Sequence, residues 1–386
     1  MHHSTENSHL NFVPEDIDQS VLSPLDRYAL TKAAGNAPSV KVSLSKPKKT
    51  APQLVELITE DNFKKLKGDD YLNKIQEGQT ETPVQRITKR LTQNGGRHRK
   101  LHVLPTDYLS QLAKLAQIFP NFKNVIDYLH QEFVKFERYG YSKAAWQTPI
   151  LLLGAPGVGK THFATQMTEF LSLTFEKFDF SMPQANFSLV GLDRGYSEAN
   201  EGHIFNLLVN SEYANPVLFI DEVDKCGDER HAPNKILLTL LEKEAANQFK
   251  DLFIKAPINA QHINWIFTAN YEANIPKEIL SRMMVFYIDA PIKEQAKIIA
   301  QSVFDKVCSQ YEKYPKHSPE AIKLSDTVLE KLSRVSNPRE MRKVLEGAIG
   351  KAAIADRVEI KPCDLNILKI EKSDKKYPMG FHPTIH

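Results

Sequence analysis

Cysteine is scarce in this 386-residue chain: there are three, Cys226, Cys308 and Cys363, an odd number spread far apart. That excludes a disulfide framework, lacks the close spacing of a cysteine zinc site and suits a reducing compartment. No run approaches the roughly 20 consecutive apolar residues that a membrane-crossing helix needs. The opening stretch, MHHSTENSHLNF, has no charged head, apolar middle or small-residue cleavage site, so no export signal is read there. Neither sign of charge dominates, and a net charge of +3 is too small to argue for nucleic acid by itself. Internal repeats and low-complexity arrays are also missing. With 41% apolar and 25% charged residues, the expectation is a soluble, cytoplasmic chain. At about 150 residues per domain it has room for two or three.

Residues 1–50 are rich in Ser, Pro, Asn and Lys without sustained periodicity, and read as a mobile tail. Residues 51–120 read as a helical N-terminal region, with amphipathic stretches LVELITEDNFKKL and YLNKIQ and a Gly95-Gly96 hinge. Asp107 stands as a capping residue before the helical pattern YLSQLAKLAQIF. Between Thr82 and Thr106 lie six basic residues, Arg86, Lys89, Arg90, Arg97, Arg99 and Lys100, and no acid. They form either a solvated basic loop or a surface able to neutralise phosphates. From Asn121 to Tyr139, Val125, Leu129, Phe133 and Phe136 recur at helical spacing and read as core.

After Pro149 the texture changes. PILLL, FEKFDF, PVLFI, NWIFTAN and MVFYI read as five short strands separated by helices, which implies a parallel sheet covered on both faces. This gives a three-layer αβα domain over residues 121–290. Past Pro291 no strand signal survives. EQAKIIAQSVFDKV, SDTVLEKLSRV and PREMRKVLEGAIGKAAIA predict a small all-helical lid domain over 291–372, followed by a tail, 373–386.

The most specific signal is Gly154-Ala155-Pro156-Gly157-Val158-Gly159-Lys160-Thr161, with His162 next, set between a strand and a helix. It fills the P-loop pattern: glycines let backbone N–H groups fold around phosphates, and the helix N-terminus faces the same anion. Lys160 is expected on the β- and γ-phosphates of ATP, and Thr161 on Mg²⁺. Val217-Leu218-Phe219-Ile220-Asp221-Glu222 is an apolar strand ending in two acids, Asp221 for the metal and Glu222 for the attacking water. Strand alternation would send these two side chains opposite ways, unless the chain turns at the strand end. Asn270, ending the fourth strand, is placed to orient that water. Arg282, before the last strand, suits the γ-phosphate of a neighbouring subunit, and Arg339, opening a lid helix, suits that of its own chain, with Arg342 one turn on as its rival.

These elements, in this order, resemble the AAA+ ATPases, and most of all the ATPase module of Lon proteases. GAPGVGKTHFA, NPVLFIDEVDK, the run from FKDLF to IFTAN, and ANIPKEILSRMMVFYI carry the likeness, over about residues 120–370. The resemblance implies an arginine finger at Arg282, a second sensor at Arg339 and a role for Lys225 in the DE-x-DK pattern. It also implies a substrate-gripping channel loop, with Tyr196 at the aromatic position, although Ser197 and Glu198 replace the expected aliphatic residue and glycine. A Lon protease follows its lid with a protease domain carrying a Ser–Lys pair. This chain reaches His386 soon after Ile370, so no proteolytic activity is expected.

The functional expectation is an ATP hydrolase using ATP and Mg²⁺, assembled as a homo-oligomeric ring, six subunits being the expected number, that remodels or threads a protein partner. The alternative is a nucleic-acid-associated ATPase of a mobile-element, replication or phage-defence system, resting on the basic stretch from Arg86 to Lys100 and the basic tail before Ala51. No membrane partner is expected.

Overall fold

The computed structural model describes residues 53–75, 78–139, 146, 148–180, 185–225, 234–311, 322–335 and 337–366. All belong to one compact unit, Lys49–His386, and the other unit, Met1–Lys48, lies outside them. The expected tails at 1–50 and 373–386 therefore fall outside the described residues.

Strand β1 (Leu54–Glu56) pairs antiparallel with β2 (His98–Lys100), and helices α1 (Glu60–Lys67) and α2 (Pro83–Gln93) lie between them in sequence. Thr59 caps α1 through its hydroxyl, and Thr82 and Gln85 form a reciprocal capping box on α2. Val84, Ile87 and Leu91 on α2 are buried at helical spacing in the same core as the strands of the main sheet. The stretch YLNKIQ, expected as a helix, instead turns at residues 71–74, where Tyr71 and Leu72 N–H groups bond the Asp69 carboxylate. Helix α3 (Tyr108–Ile118) forms as expected, but Asp107 makes no capping hydrogen bond; its carboxylate takes the Gln111 amide instead. In α4 (Lys123–Arg138), Val125, Leu129, Phe133 and Phe136 are buried together.

The main sheet contains β3 (Ile150–Leu153), β4 (Phe175–Asp179), β5 (Val217–Asp221), β8 (Asn264–Ala269) and β9 (Met284–Tyr287), all parallel, in the order β4-β5-β8-β3-β9. A short antiparallel pair, β6 (Phe249–Lys250) and β7 (Pro257–Ile258), precedes β8 and had no signal in the alternation. The connecting helices are α5 (Lys160–Phe170), α6 (Ala185–Val190), α7 (His203–Asn210), α8 (Asn234–Leu240), α9 (Lys243–Ala246) and α10 (Lys277–Leu280). Strands β3 and β8 are buried along their whole length. At roughly 1.5–3 kcal/mol for each large apolar side chain buried, they anchor the sheet firmly. Edge strand β4 is more exposed and carries Glu176 and Lys177, charges that discourage further strand pairing. Because the strands run parallel, the segments after β3, β5 and β8 all emerge at the same edge, where α/β sheets bind ligands.

The lid consists of α11 (Lys293–Cys308), α12 (Asp326–Leu332) and α13 (Pro338–Ile354) around a separate core that includes Ala300, Phe304, Val328, Met341 and Leu345. It is not entirely helical: β10 (Lys323–Leu324) and β11 (Glu359–Ile360) form a two-residue parallel pair, too short to show periodicity. Among the described residues no helix is long and apolar enough to cross a membrane.

Candidate nucleotide site

The loop from β3 to α5 turns through left-handed backbone at Gly157 (φ 89°) and Gly159 (φ 104°), conformations that a side chain would strain. A Cβ on Gly157 would lie 2.4 Å from the Asn337 side chain, which reaches in from the lid and donates to the Pro156 carbonyl at 3.2 Å. Lys160, at the start of α5, folds its ammonium back onto the carbonyls of Gly154 (2.6 Å) and Ala155 (3.1 Å) and onto Asn270 Oδ1 (2.9 Å). Burial lowers its pKa from the ordinary lysine value, opposed by the nearby Asp221 and Asp224 carboxylates.

Asp221 and Glu222 both line the cavity beside this loop. The alternation problem is resolved by the backbone: Glu222 has φ 56°, a left-handed turn that swings its side chain to the same side as Asp221. Thr268 on β8 holds the turn, donating to Asp221 Oδ1 at 2.5 Å and accepting from the Glu222 N–H at 3.0 Å. Thr161 Oγ1 lies 3.4 Å from Asp221 Oδ2, and Lys177 Nζ lies 2.7 Å from the same oxygen. The Glu222 carboxylate pairs with Lys225 at 2.8 Å. Buried Asp224 accepts the backbone N–H groups of Asn270 and Tyr271, both at 3.0 Å, which fixes the end of β8.

The cavity encloses about 520 Å³ between the sheet edge and the lid. One apolar wall combines Ile118 and Phe119, from the end of α3, with Ile299, Val303 and Val307 of α11. It suits the flat face of a base. Phe119 packs edge-on against His162 and Phe163, and Phe122 stacks on Phe163 with ring centroids 4.3 Å apart. Burial and the neighbouring Lys306 lower the His162 pKa from the ordinary histidine value. Arg339 and Arg342 both reach the cavity, but Arg342 is engaged by Glu346 at 2.8 Å and by Gln310.

Lys160, Thr161, Asp221, Glu222, Asn270 and Arg339 are thus brought together, and the sequence reading had not included Lys177, Asp224, Asn337 or the apolar wall. Arg282 is not at this cavity. It lies on the surface after α10, bonded to the Glu278 carbonyl and 3.5 Å from Glu242. Tyr196 is also remote, 60% exposed at the tip of the loop between Gly191 and Gly202. That loop is anchored by Arg194, which pairs with Asp69 at 2.8 Å and bonds the Phe253 and Ile254 carbonyls, and by buried Asp251, which accepts from Gly202 N.

The six basic residues do not make one open surface. Arg99 is fully buried and donates to the carbonyls of Leu208 and Val209, with burial lowering its pKa to about 10. Arg90 pairs with Glu201, Arg97 with Glu56 and Glu60, Lys89 with Glu81, and Lys100 with Glu212, while Arg86 bonds Gln79. The acids sit on other segments, so an acid-free window in the sequence did not produce an acid-free surface.

Residues 150–289 match the family described as the ATPase family associated with various cellular activities (AAA). The chain is 29% identical over 203 residues to a Lon protease of Malacoplasma penetrans, covering 52% of this chain and 26% of that one. It is 34% identical over 152 residues to a Lon protease of Chlamydia trachomatis, covering 39% of this chain and 19% of that one. The chain therefore spans about a quarter or less of the length of these relatives. In fold it resembles S. cerevisiae Hsp104, solved in an extended complex with casein, at 16% identity with a TM-score of 0.51, over 65% of this chain and 48% of that one. Residues 150–289 thus match the AAA family, within a stretch that is similar to part of Lon proteases.

Proposed function

We propose that the chain hydrolyses ATP and couples that turnover to the remodelling or threading of a protein partner. The observation that carries this is the convergence of Lys160, Thr161, Asp221, Glu222, Asn270 and the lid residue Arg339 on one cavity. Lys160 reaches the P-loop carbonyls and would turn from them to bind the β- and γ-phosphates. Glu222 would polarise the attacking water, Asn270 would hold that water in line, and Arg339 would tie the lid to the γ-phosphate.

The residues also fit Mg²⁺. Thr161 and Asp221 offer hard oxygen ligands 3.4 Å apart and would hold the ion, the oxygen chemistry that Mg²⁺ prefers. Among the described residues no group of three or more His, Cys, Asp or Glu side chains could hold a metal, so phosphate oxygens and water would complete the shell. When bound, the ion would neutralise charge developing on the phosphates.

Arg282 lies away from its own chain's cavity, half-buried and held by the Glu278 carbonyl beside Glu242, which leaves it to serve a neighbouring copy in a ring of identical subunits, with six as the expected number. Tyr196, exposed on an anchored loop, supports contact with an unfolded polypeptide. The named relatives act on or hold proteins, as Lon proteases and Hsp104 with casein. The likeness to Lon proteases covers about a quarter of their length or less, so proteolysis is not carried over. A nucleic-acid role loses its main support with the pairing and burial of Arg90, Arg97, Arg99 and Lys100.

The test is the ATPase rate and particle mass of the full chain with ATP, alone and with unfolded protein or DNA added. Assembly with ATP and stimulation by unfolded protein are expected. Stimulation by DNA alone would overturn the choice of partner, and a mutationally insensitive or absent ATPase would overturn the activity.

A further inference from the structure

Lys177 belongs to no motif, yet it makes the shortest charged contact to the metal-type carboxylate. In the parallel pair of β4 and β5, Lys177 is in register with Phe219, and Asp179 is in register with Asp221. Residues in register share a face, and side chains alternate, so Lys177, Asp179, Phe219 and Asp221 all project from one side of the sheet. Two carboxylates at paired positions repel each other. The Lys177 side chain runs diagonally along this face, with its ammonium 6.0 Å from the Phe219 ring centroid and 2.7 Å from Asp221 Oδ2. That oxygen is also the one facing the Thr161 hydroxyl, at 3.4 Å.

Resting on the reading of this cavity as a Mg²⁺–ATP site, we propose that Lys177 is a built-in counter-ion of Asp221, which must leave Oδ2 when the nucleotide arrives with its divalent cation. Lys177 thereby acts as a positioning residue that sets how much Mg²⁺ is needed to hold nucleotide. Its partner Asp221 is half-buried, at 17% side-chain exposure, but the lysine side chain is 44% exposed, so it can swing into water without unpacking the core. An ion pair that is half open to solvent is weak enough to be displaced in this way. Lys160 does not take this place in the structure, because its ammonium is held by the Gly154 and Ala155 carbonyls and Asn270.

The test is binding of a fluorescent, non-hydrolysable ATP analogue to the full chain, titrated with MgCl₂, for wild type, Lys177→Met, Lys177→Arg and Lys160→Ala. Lys177→Met is expected to lower the half-saturating Mg²⁺ concentration by about twofold to fivefold, the range of a partly exposed ion pair, while Lys177→Arg stays near wild type. Thermal unfolding of each variant checks that the fold is kept, and Lys177→Gln replaces Lys177→Met if the latter aggregates. An unchanged Mg²⁺ dependence in Lys177→Met would overturn the inference and leave the nucleotide site standing, as would a need for more Mg²⁺. Wild type binding no nucleotide at any Mg²⁺ concentration, or Lys160→Ala binding as wild type does, would overturn the reading of the cavity itself.

Discussion

Glu222 reaches the cavity only because its backbone leaves the strand geometry, at φ 56°, a conformation that costs a non-glycine residue roughly 1–2 kcal/mol. The Thr268 hydroxyl holds the turn around it, accepting from the Glu222 N–H and donating to Asp221. The acidic pair was legible from residue types, but not the turn: periodicity describes a strand and is silent about how it ends. Gly157 is a second case, since both its φ of 89° and the Asn337 side chain exclude a Cβ. Gly157→Ala is expected to weaken ATP binding by about fivefold to thirtyfold, matching a strain of roughly 1–2 kcal/mol, as measured by calorimetry. Asn337→Ala, which removes the clash but not the backbone strain, should restore only part of the affinity in the double variant. Asn337 was signalled faintly, by its place as an Asn before Pro338 at a helix start.

At the scale of elements, the five parallel strands and the helices of the lid were legible because their apolar runs are long. The pairs β6–β7 and β10–β11 were not, because two residues carry no period. Asp224 was passed over although it lies inside the acidic motif, since its partners are backbone N–H groups that no sequence pattern displays. Asp224→Ala would leave the N–H groups of Asn270 and Tyr271 without their acceptor, at a cost of about 1–3 kcal/mol. Chemical denaturation should show that loss, and hydrolysis should fall more than ATP affinity, because Asn270 is displaced.

The loop bearing Tyr196 has its own titrating clasp. Burial raises the Asp251 pKa from 3.8 to about 6, in spite of three backbone N–H donors. A raised acid pKa means that the folded state holds the proton more tightly than the unfolded state does. This contribution to stability is therefore complete below the unfolded value of 3.8 and is lost as pH rises through about 6. Urea unfolding should show wild type losing stability between about pH 4 and pH 6, and little further above that, relative to Asp251→Asn, which lacks the titration.

For the whole molecule, the division into a sheet domain and a lid was legible, but the shared wall was not. Ile118 and Phe119 come from a segment that reads as part of an N-terminal region, yet they face α11 across the cavity. The finger role proposed for Arg282 would depend on another copy. Arg282→Ala should lower hydrolysis about tenfold or more with little change in ATP affinity, and mixing with Lys160→Ala subunits, which still carry Arg282, should restore part of the rate. No rescue on mixing would argue against a finger acting between subunits. The central claim, that this cavity hydrolyses ATP, is tested most directly by comparing wild type with Glu222→Gln for phosphate release and for ATP binding. The expected result is unchanged or tighter ATP binding, with hydrolysis reduced by about 10² or more. Hydrolysis by Glu222→Gln at the wild-type rate would contradict the account.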